Sequence, residues 1–112
     1  YLGFLDPQRD AQQYDIFKRQ YTSAGAMLSF EVRGGEAAAF KVLNQLKMIK
    51  LAVSLGGTES LAQHPDTMTH AGVALEHKRA LGITPGMIRL SVGVEHPDDL
   101  IWDLRQALAE GV

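Results

Sequence analysis

Cysteine is absent from this 112-residue chain, which excludes a disulfide framework, a cysteine-ligated zinc site and a cysteine nucleophile. The zero count accords with a cytosolic protein. Neither sign of charge is in excess: 11 Lys and Arg stand against 13 Asp and Glu, a net charge of −2. That leaves no footprint for nucleic acid and no polybasic patch for a membrane surface. No apolar run approaches the roughly 18 residues of a spanning helix. Tyr1–Leu5 is apolar, but it is short and has no basic leader, so it does not read as a signal peptide. No repeat or low-complexity segment is visible. What is present is ordinary globular usage, 46% hydrophobic and 21% charged, enough for one domain around one core.

The pattern along the chain predicts an α+β domain. Pro7 suits the first turn of a helix running to about Tyr21, and Thr22–Gly25 breaks it. Ala26–Val32 alternates, with Ala26, Leu28, Phe30 and Val32 on one face, and so predicts a strand. Gly34–Gly35 turns the chain into an amphipathic helix from Glu36 to Ile49, whose core side is Ala39, Val42, Leu43, Leu46 and Ile49. Leu51–Leu55 reads as a short strand ended by Gly56–Gly57. This strand–helix–strand order suggests a right-handed crossover between parallel strands. Glu59–Gln63 reads as one helical turn stopped near Pro65, and Thr67–His70 as a short strand or extended loop. Leu75–Leu81 is a weaker helix with Gly82 just past its end. Met87–Val94 alternates again, with Ile88, Leu90, Val92 and Val94 inward and Met87, Arg89, Ser91 and Gly93 opposite. Pro97, followed by Asp98 and Asp99 in the positive first turn, starts the last helix. Its core face is Leu100, Ile101, Leu104, Ala107 and Leu108. The expected architecture is a small open sheet covered on one side by helices.

Arg89 is the strongest candidate for chemistry. It interrupts an apolar strand on the face opposite the core, and its planar fork can bind a carboxylate through two parallel hydrogen bonds. By pattern alone, a solvated or ion-paired arginine is the simpler reading. Ser54–Leu55–Gly56–Gly57 is the second candidate. Glycines after a strand let a ligand approach the backbone, and a serine hydroxyl can donate to a carboxylate oxygen; a plain turn explains the same residues. His64, His70, His77 and His96 lack the spacing of a zinc site, and no metal is expected. Glu95–His96–Pro97–Asp98–Asp99 reads as a helix cap. Glu36 repels an anion from the helix start after Gly34–Gly35.

Val53–Ser54–Leu55–Gly56–Gly57–Thr58–Glu59–Ser60–Leu61, together with Met87–Ile88–Arg89–Leu90–Ser91–Val92–Gly93, resembles the carboxyl-terminal domain of the Cys/Met-metabolism family of pyridoxal-phosphate enzymes. This family includes methionine gamma-lyase, cystathionine gamma-lyase and cystathionine gamma-synthase. The resemblance runs from about Tyr1 to Glu110 and also takes in His64–Pro65–Asp66–Thr67–Met68–Thr69–His70. It implies a helical lead-in over residues 1–25. It implies that residues 26–112 form the substrate-binding small domain of a fold-type I enzyme. It also implies that pyridoxal 5'-phosphate and its lysine belong to a large domain that this chain does not contain. None of Lys18, Lys41, Lys47, Lys50 and Lys78 lies in a segment like the family's cofactor-lysine segment.

Four substrate-binding residues are therefore expected, Arg89, Ser54, Val53 and Leu55, with Arg89 and Ser54 on the substrate alpha-carboxylate. Catalytic and cofactor-binding residues are expected outside this chain, which alone should be inactive. Cystathionine-processing members commonly carry glutamate where Val53 stands, and methionine gamma-lyases an apolar residue. The resemblance thus implies a cytoplasmic, homotetrameric carbon–sulfur lyase. Its expected reaction is gamma-elimination of methionine to methanethiol, 2-oxobutanoate and ammonia. A cystathionine gamma-lyase or gamma-synthase is the alternative within the family. A free-standing amino-acid-binding regulatory module is the alternative outside it.

Overall fold

The computed structural model describes residues 1–111, so Val112, the last residue of the expected small domain, lies outside them. A 3-10 turn at Leu2–Phe4 leads to α1 (Ala11–Gln20), β1 (Met27–Glu31), α2 (Gly35–Gln45) and β2 (Lys50–Leu51). Then come β3 (Leu61–Gln63), α3 (Leu75–Leu81), β4 (Met87–Ser91) and α4 (Pro97–Gly111). The four strands form one sheet in the order β1-β4-β3-β2. β4 is antiparallel to both β1 and β3, and β2 is parallel to β3. β1 and β2 therefore run in the same direction, as the strand–helix–strand pattern suggests, but they form the two edges of the sheet with β4 and β3 between them.

The α+β expectation holds, and one face of the sheet carries the core. Ile88 and Leu90 of β4 and Ala62 of β3 meet Ala39, Val42 and Leu43 of α2 and Leu100 and Ala107 of α4, all buried. Leu28 and Phe30 of β1 pack against the edge of this cluster, and Val32 just past β1 is buried in it. Each fully buried Leu, Ile or Val contributes roughly 1.5–3 kcal/mol. The period-two pattern of β1 and β4 is thus read on the correct face. Gly34 and Gly35 both take positive φ, +103° and +70°, where a side chain would be strained, and this is the turn that launches α2.

Five local expectations are corrected. α1 starts at Ala11 rather than near Pro7, because the Asp6 carboxylate accepts the N–H groups of Gln8 and Arg9 at 2.8 Å and holds a separate turn. α2 stops at Gln45 instead of reaching Ile49. There the Asp103 carboxylate accepts the N–H groups of Lys47, Met48 and Ile49, each at 2.8 Å, which a continuing helix would have used internally. Glu59–Gln63 is not a helical turn: Leu61–Gln63 is β3, hydrogen-bonded on both sides, and a single turn cannot compete with two ladders. The strand expected at Leu51–Leu55 is only Lys50–Leu51, continued by one bond from Ala52 N–H to the Ala62 carbonyl. Finally, Val94 and Ile101, expected inside, are 79% and 50% exposed. β4 ends at Ser91, so Val94 lies beyond the sheet.

Asp103 is fully buried on α4. Burial pushes its carboxyl pKa up, but the three backbone N–H groups and the Gln106 amide outweigh this and hold it below the ordinary aspartate value. A depressed folded pKa stabilises the fold fully above the unfolded value and loses that contribution as pH falls through the folded one. Asp103→Asn should therefore cost about 2–3 kcal/mol at pH 7. In chemical denaturation, the gap to the parent protein should shrink as pH drops below about 4. A gap that stays constant to pH 2 would mean that the carboxylate charge is irrelevant.

Candidate functional site

The face of the sheet away from the core carries the site. Arg89 lies in the middle of β4, opposite Ser29 of β1 on one side and Gln63 of β3 on the other. One row across the sheet therefore reads Ser29–Arg89–Gln63. The loop after β2 folds over this face. Arg89 Nη2 donates to the Val53 carbonyl at 3.0 Å and to the Ser54 carbonyl at 3.4 Å. The Gln63 carboxamide faces the guanidinium. With its oxygen turned that way it lies over the face of the guanidinium, 3.0 Å from Nη1 and 3.2 Å from Nε and Nη2, whereas the opposite orientation sets the amide nitrogen against the cation.

These partners are all neutral. Among the described residues, no carboxylate forms an ion pair with Arg89. A guanidinium has five N–H donors. Two backbone carbonyls and the Gln63 amide packed on its face hold its plane without consuming its charge. Beside it, an open cleft of about 390 Å³ is lined by Tyr1, Leu2, Met27, Leu28, Ser29 and Arg89. A charged fork set at the rim of an open cleft can bind a carboxylate.

The same loop is tied down at three further points. Gly56 N–H donates to the hydroxyl of buried Ser91 at 2.9 Å, and Val94 N–H donates to the Thr58 carbonyl at 2.8 Å. The Ser60 hydroxyl donates to Glu95 Oε1 at 2.6 Å and accepts from Gly93 N–H at 2.7 Å, while Ser60 N–H donates to Glu95 Oε2 at 2.8 Å. The Ser60 hydroxyl and N–H hold the Glu95 carboxyl below its ordinary pKa. Gly93 is required for this packing: a Cβ there would lie 2.2 Å from the Thr58 carbonyl oxygen.

The four residues expected to bind substrate are thus partly brought together. Val53 and Ser54 meet Arg89 through their carbonyls, not their side chains. Val53 and Leu55 are both 54% exposed, and Ser54 is also exposed. Gln63, Ser91, Ser60 and Glu95 are contacts that sequence reasoning missed. Glu95 reads as part of a helix cap, but it clamps Ser60. The capping itself falls to His96, whose Nδ1 accepts Asp98 N–H at 3.1 Å. His64 is buried, with Nδ1 against the Thr67 hydroxyl, Nε2 against the Pro85 carbonyl and its ring edge-on to Phe40. That is a structural role.

Comparison with known proteins places the chain in a family. Residues 7–109 match the family model described as Cys/Met metabolism PLP-dependent enzyme. L-methionine gamma-lyase of Fusobacterium nucleatum is 52% identical over 95 residues, covering 85% of this chain and 24% of that protein. Cystathionine gamma-lyase of Saccharomyces cerevisiae is 42% identical over 99 residues, covering 87% of this chain and 25% of that protein. Among solved structures, cystathionine gamma synthase from Xanthomonas oryzae pv. oryzae in complex with cystathionine superposes with a TM-score of 0.82 at 46% identity. That match covers 88% of this chain and 25% of the other. The chain spans about a quarter of the length of the curated relatives it matches.

Two glycine substitutions test how tightly the loop is fixed. Gly93→Ala should cost about 1–3 kcal/mol, because its Cβ meets backbone that cannot yield cheaply. Gly57→Ala, whose Cβ would meet nothing within 4 Å, should stay within about 0.5 kcal/mol. Thermal unfolding of both variants checks this, and equal effects would show that the Gly93–Thr58 contact is not limiting.

Proposed function

Since the chain belongs to the Cys/Met-metabolism family of pyridoxal-phosphate-dependent enzymes, we propose that it is the substrate-gripping small domain of a carbon–sulfur lyase acting on sulfur amino acids. Arg89 binds the alpha-carboxylate and the Ser54 hydroxyl assists. The observation that carries this is the state of Arg89: its plane is fixed by neutral acceptors and its charge is unspent among the described residues. An exposed arginine with no task is not ordinarily held this way, since fixing a long side chain costs up to roughly 2 kcal/mol of rotamer entropy.

Pyridoxal phosphate, when bound, draws electrons from the substrate's alpha carbon so that a sulfur group can leave. Among the described residues, the lysines do not form a seat for it. Lys78 Nζ is paired with Asp66 at 2.7 Å, and Lys50 Nζ with Glu59 at 3.8 Å. Lys47 lies over the Trp102 ring, and Lys18 over Tyr14 and Phe17. Lys41 is exposed on α2. This supports a cofactor held by a large domain preceding this one, with residues 1–25 as the lead-in and residues 26–112 as the small domain. The chain by itself is then inactive, and the enzyme works as an oligomer, a homotetramer in this reading.

Within the family the proposed reaction is gamma-elimination of methionine. An apolar side chain at Val53 cannot pair the distal ammonium of cystathionine, and the Fusobacterium relative is named for methionine. In that scheme this chain's residues orient the substrate by its carboxylate, so that the alpha C–H bond stands in the reactive direction. In the complete enzyme, Val53→Glu should move the ratio of kcat/KM for cystathionine over methionine up by about tenfold or more, because a carboxylate there can pair an ammonium but offers a thioether nothing. An unchanged ratio would show that Val53 does not face the distal end of the substrate.

Arg89→Ala in the same enzyme should remove roughly 2–5 kcal/mol of carboxylate binding. That corresponds to a fall in kcat/KM of about 30-fold to several thousand-fold, with the cofactor and the assembly retained. Arg89→Lys should recover only part of the loss, because an ammonium lacks the planar fork. A change of less than about threefold on Arg89→Ala would overturn the assignment.

A further inference from the structure

Resting on the reading of Arg89 as the carboxylate holder, we infer that Gln63 is its positioning residue: a buried, neutral carboxamide that fixes the guanidinium while leaving its charge for the substrate. Gln63 is 1% exposed although it lies on the face of the sheet that carries the site. The β3–β4 register sets it directly opposite Arg89. Its oxygen lies 3.0–3.2 Å from all three guanidinium nitrogens, so the amide packs over the face of the guanidinium, and it accepts from the Thr69 hydroxyl at 3.2 Å. Thr69 is itself within 2.8 Å of His70 Nδ1. The chain Arg89–Gln63–Thr69–His70 therefore runs from the guanidinium into the turn after β3.

The choice of an amide over a carboxylate at this position has a chemical consequence. Glutamate has the same length and could pack over the guanidinium in the same way. It would also be an anion against the guanidinium, and the substrate carboxylate would then compete with it for the same charge. An apolar side chain of similar size would leave the charge free but the plane unfixed, so that binding would have to order the fork. A buried polar group without charge avoids both costs. Its position on a central strand, not on a loop, makes the placement rigid.

The test uses the complete enzyme and two unreactive probes with one side chain, norleucine and pentylamine, which differ only in the carboxylate. Gln63→Glu should raise the inhibition constant of norleucine by about tenfold or more and that of pentylamine by less than about threefold. Gln63→Met, which introduces no charge and is the milder change for folding, should weaken norleucine selectively by a smaller factor and raise KM more than it lowers kcat. Equal weakening of both probes in either variant would make Gln63 a structural residue and overturn the inference. Arg89→Ala is the reference. If it abolishes the preference for norleucine while Gln63→Glu retains it, the inference on Gln63 fails alone. If Arg89→Ala itself leaves the preference intact, the carboxylate reading fails, and this inference with it.

Discussion

The carboxylate of Asp103 is the contact on which the rest of this structure depends. It sits on α4, fully buried, and receives three consecutive backbone N–H groups from residues 47–49. Those groups leave the helix ladder because an anionic acceptor offers stronger bonds than the carbonyls they give up. The bond therefore does three things together. It ends α2, it joins α2 to α4 across the core, and it aims the chain into the edge strand β2. Gln106 completes the junction by donating to Asp103 Oδ1 at 3.0 Å and to the Gln45 carbonyl at 2.7 Å. Without a fixed exit from α2, β2 has no fixed register on β3, and the loop that follows β2 has no fixed origin.

That loop is what turns a one-sided sheet into a site. Helices cover the core face, so the other face is free to carry charge without desolvation by packing. The loop crosses it and presents carbonyl oxygens to Arg89, and it is fastened by Ser91, Gly93, Ser60 and Glu95. Among the described residues none of the guanidinium contacts is anionic: Glu95 is spent on Ser60 and Glu59 on Lys50. The division matters electrostatically. An ion pair at Arg89 would have to be broken before a substrate carboxylate could bind, and the substrate would gain only the difference. Neutral acceptors fix geometry at little cost in charge.

The amino-acid sequence makes some of this legible and hides the rest for physical reasons. β1 and β4 are legible because alternating residues pack directly on the core, as are the core positions of α2 and α4. α3 is legible through Gly82, which takes the left-handed conformation at the helix end. The end of α2 is not, because its cause, Asp103, lies 56 residues beyond Lys47. β3 is not, because three residues carry no period and its stability comes wholly from neighbours on both sides. Arg89 stands out in sequence as a charge interrupting an apolar strand. Gln63 does not, since only the register of two strands reveals that it faces Arg89. Ser54 is visible as part of a motif, but the atom that meets Arg89 is its carbonyl, which any residue would supply.

The last distinction bears on how identity at the loop should be understood. Backbone carbonyls at positions 53 and 54 hold Arg89 whatever their side chains are, so those side chains are released from the task of supporting the arginine. Val53 and Leu55 are more than half exposed, and their side chains are not needed for the core. A loop anchored by its backbone and by Gly56, Thr58 and Ser60 can therefore change the chemistry of its exposed positions without disturbing the hold on Arg89. Such a separation lets one scaffold keep Arg89 fixed while varying the side chains that surround it. Relatives named for methionine and for cystathionine both match this one chain at 42% identity or more.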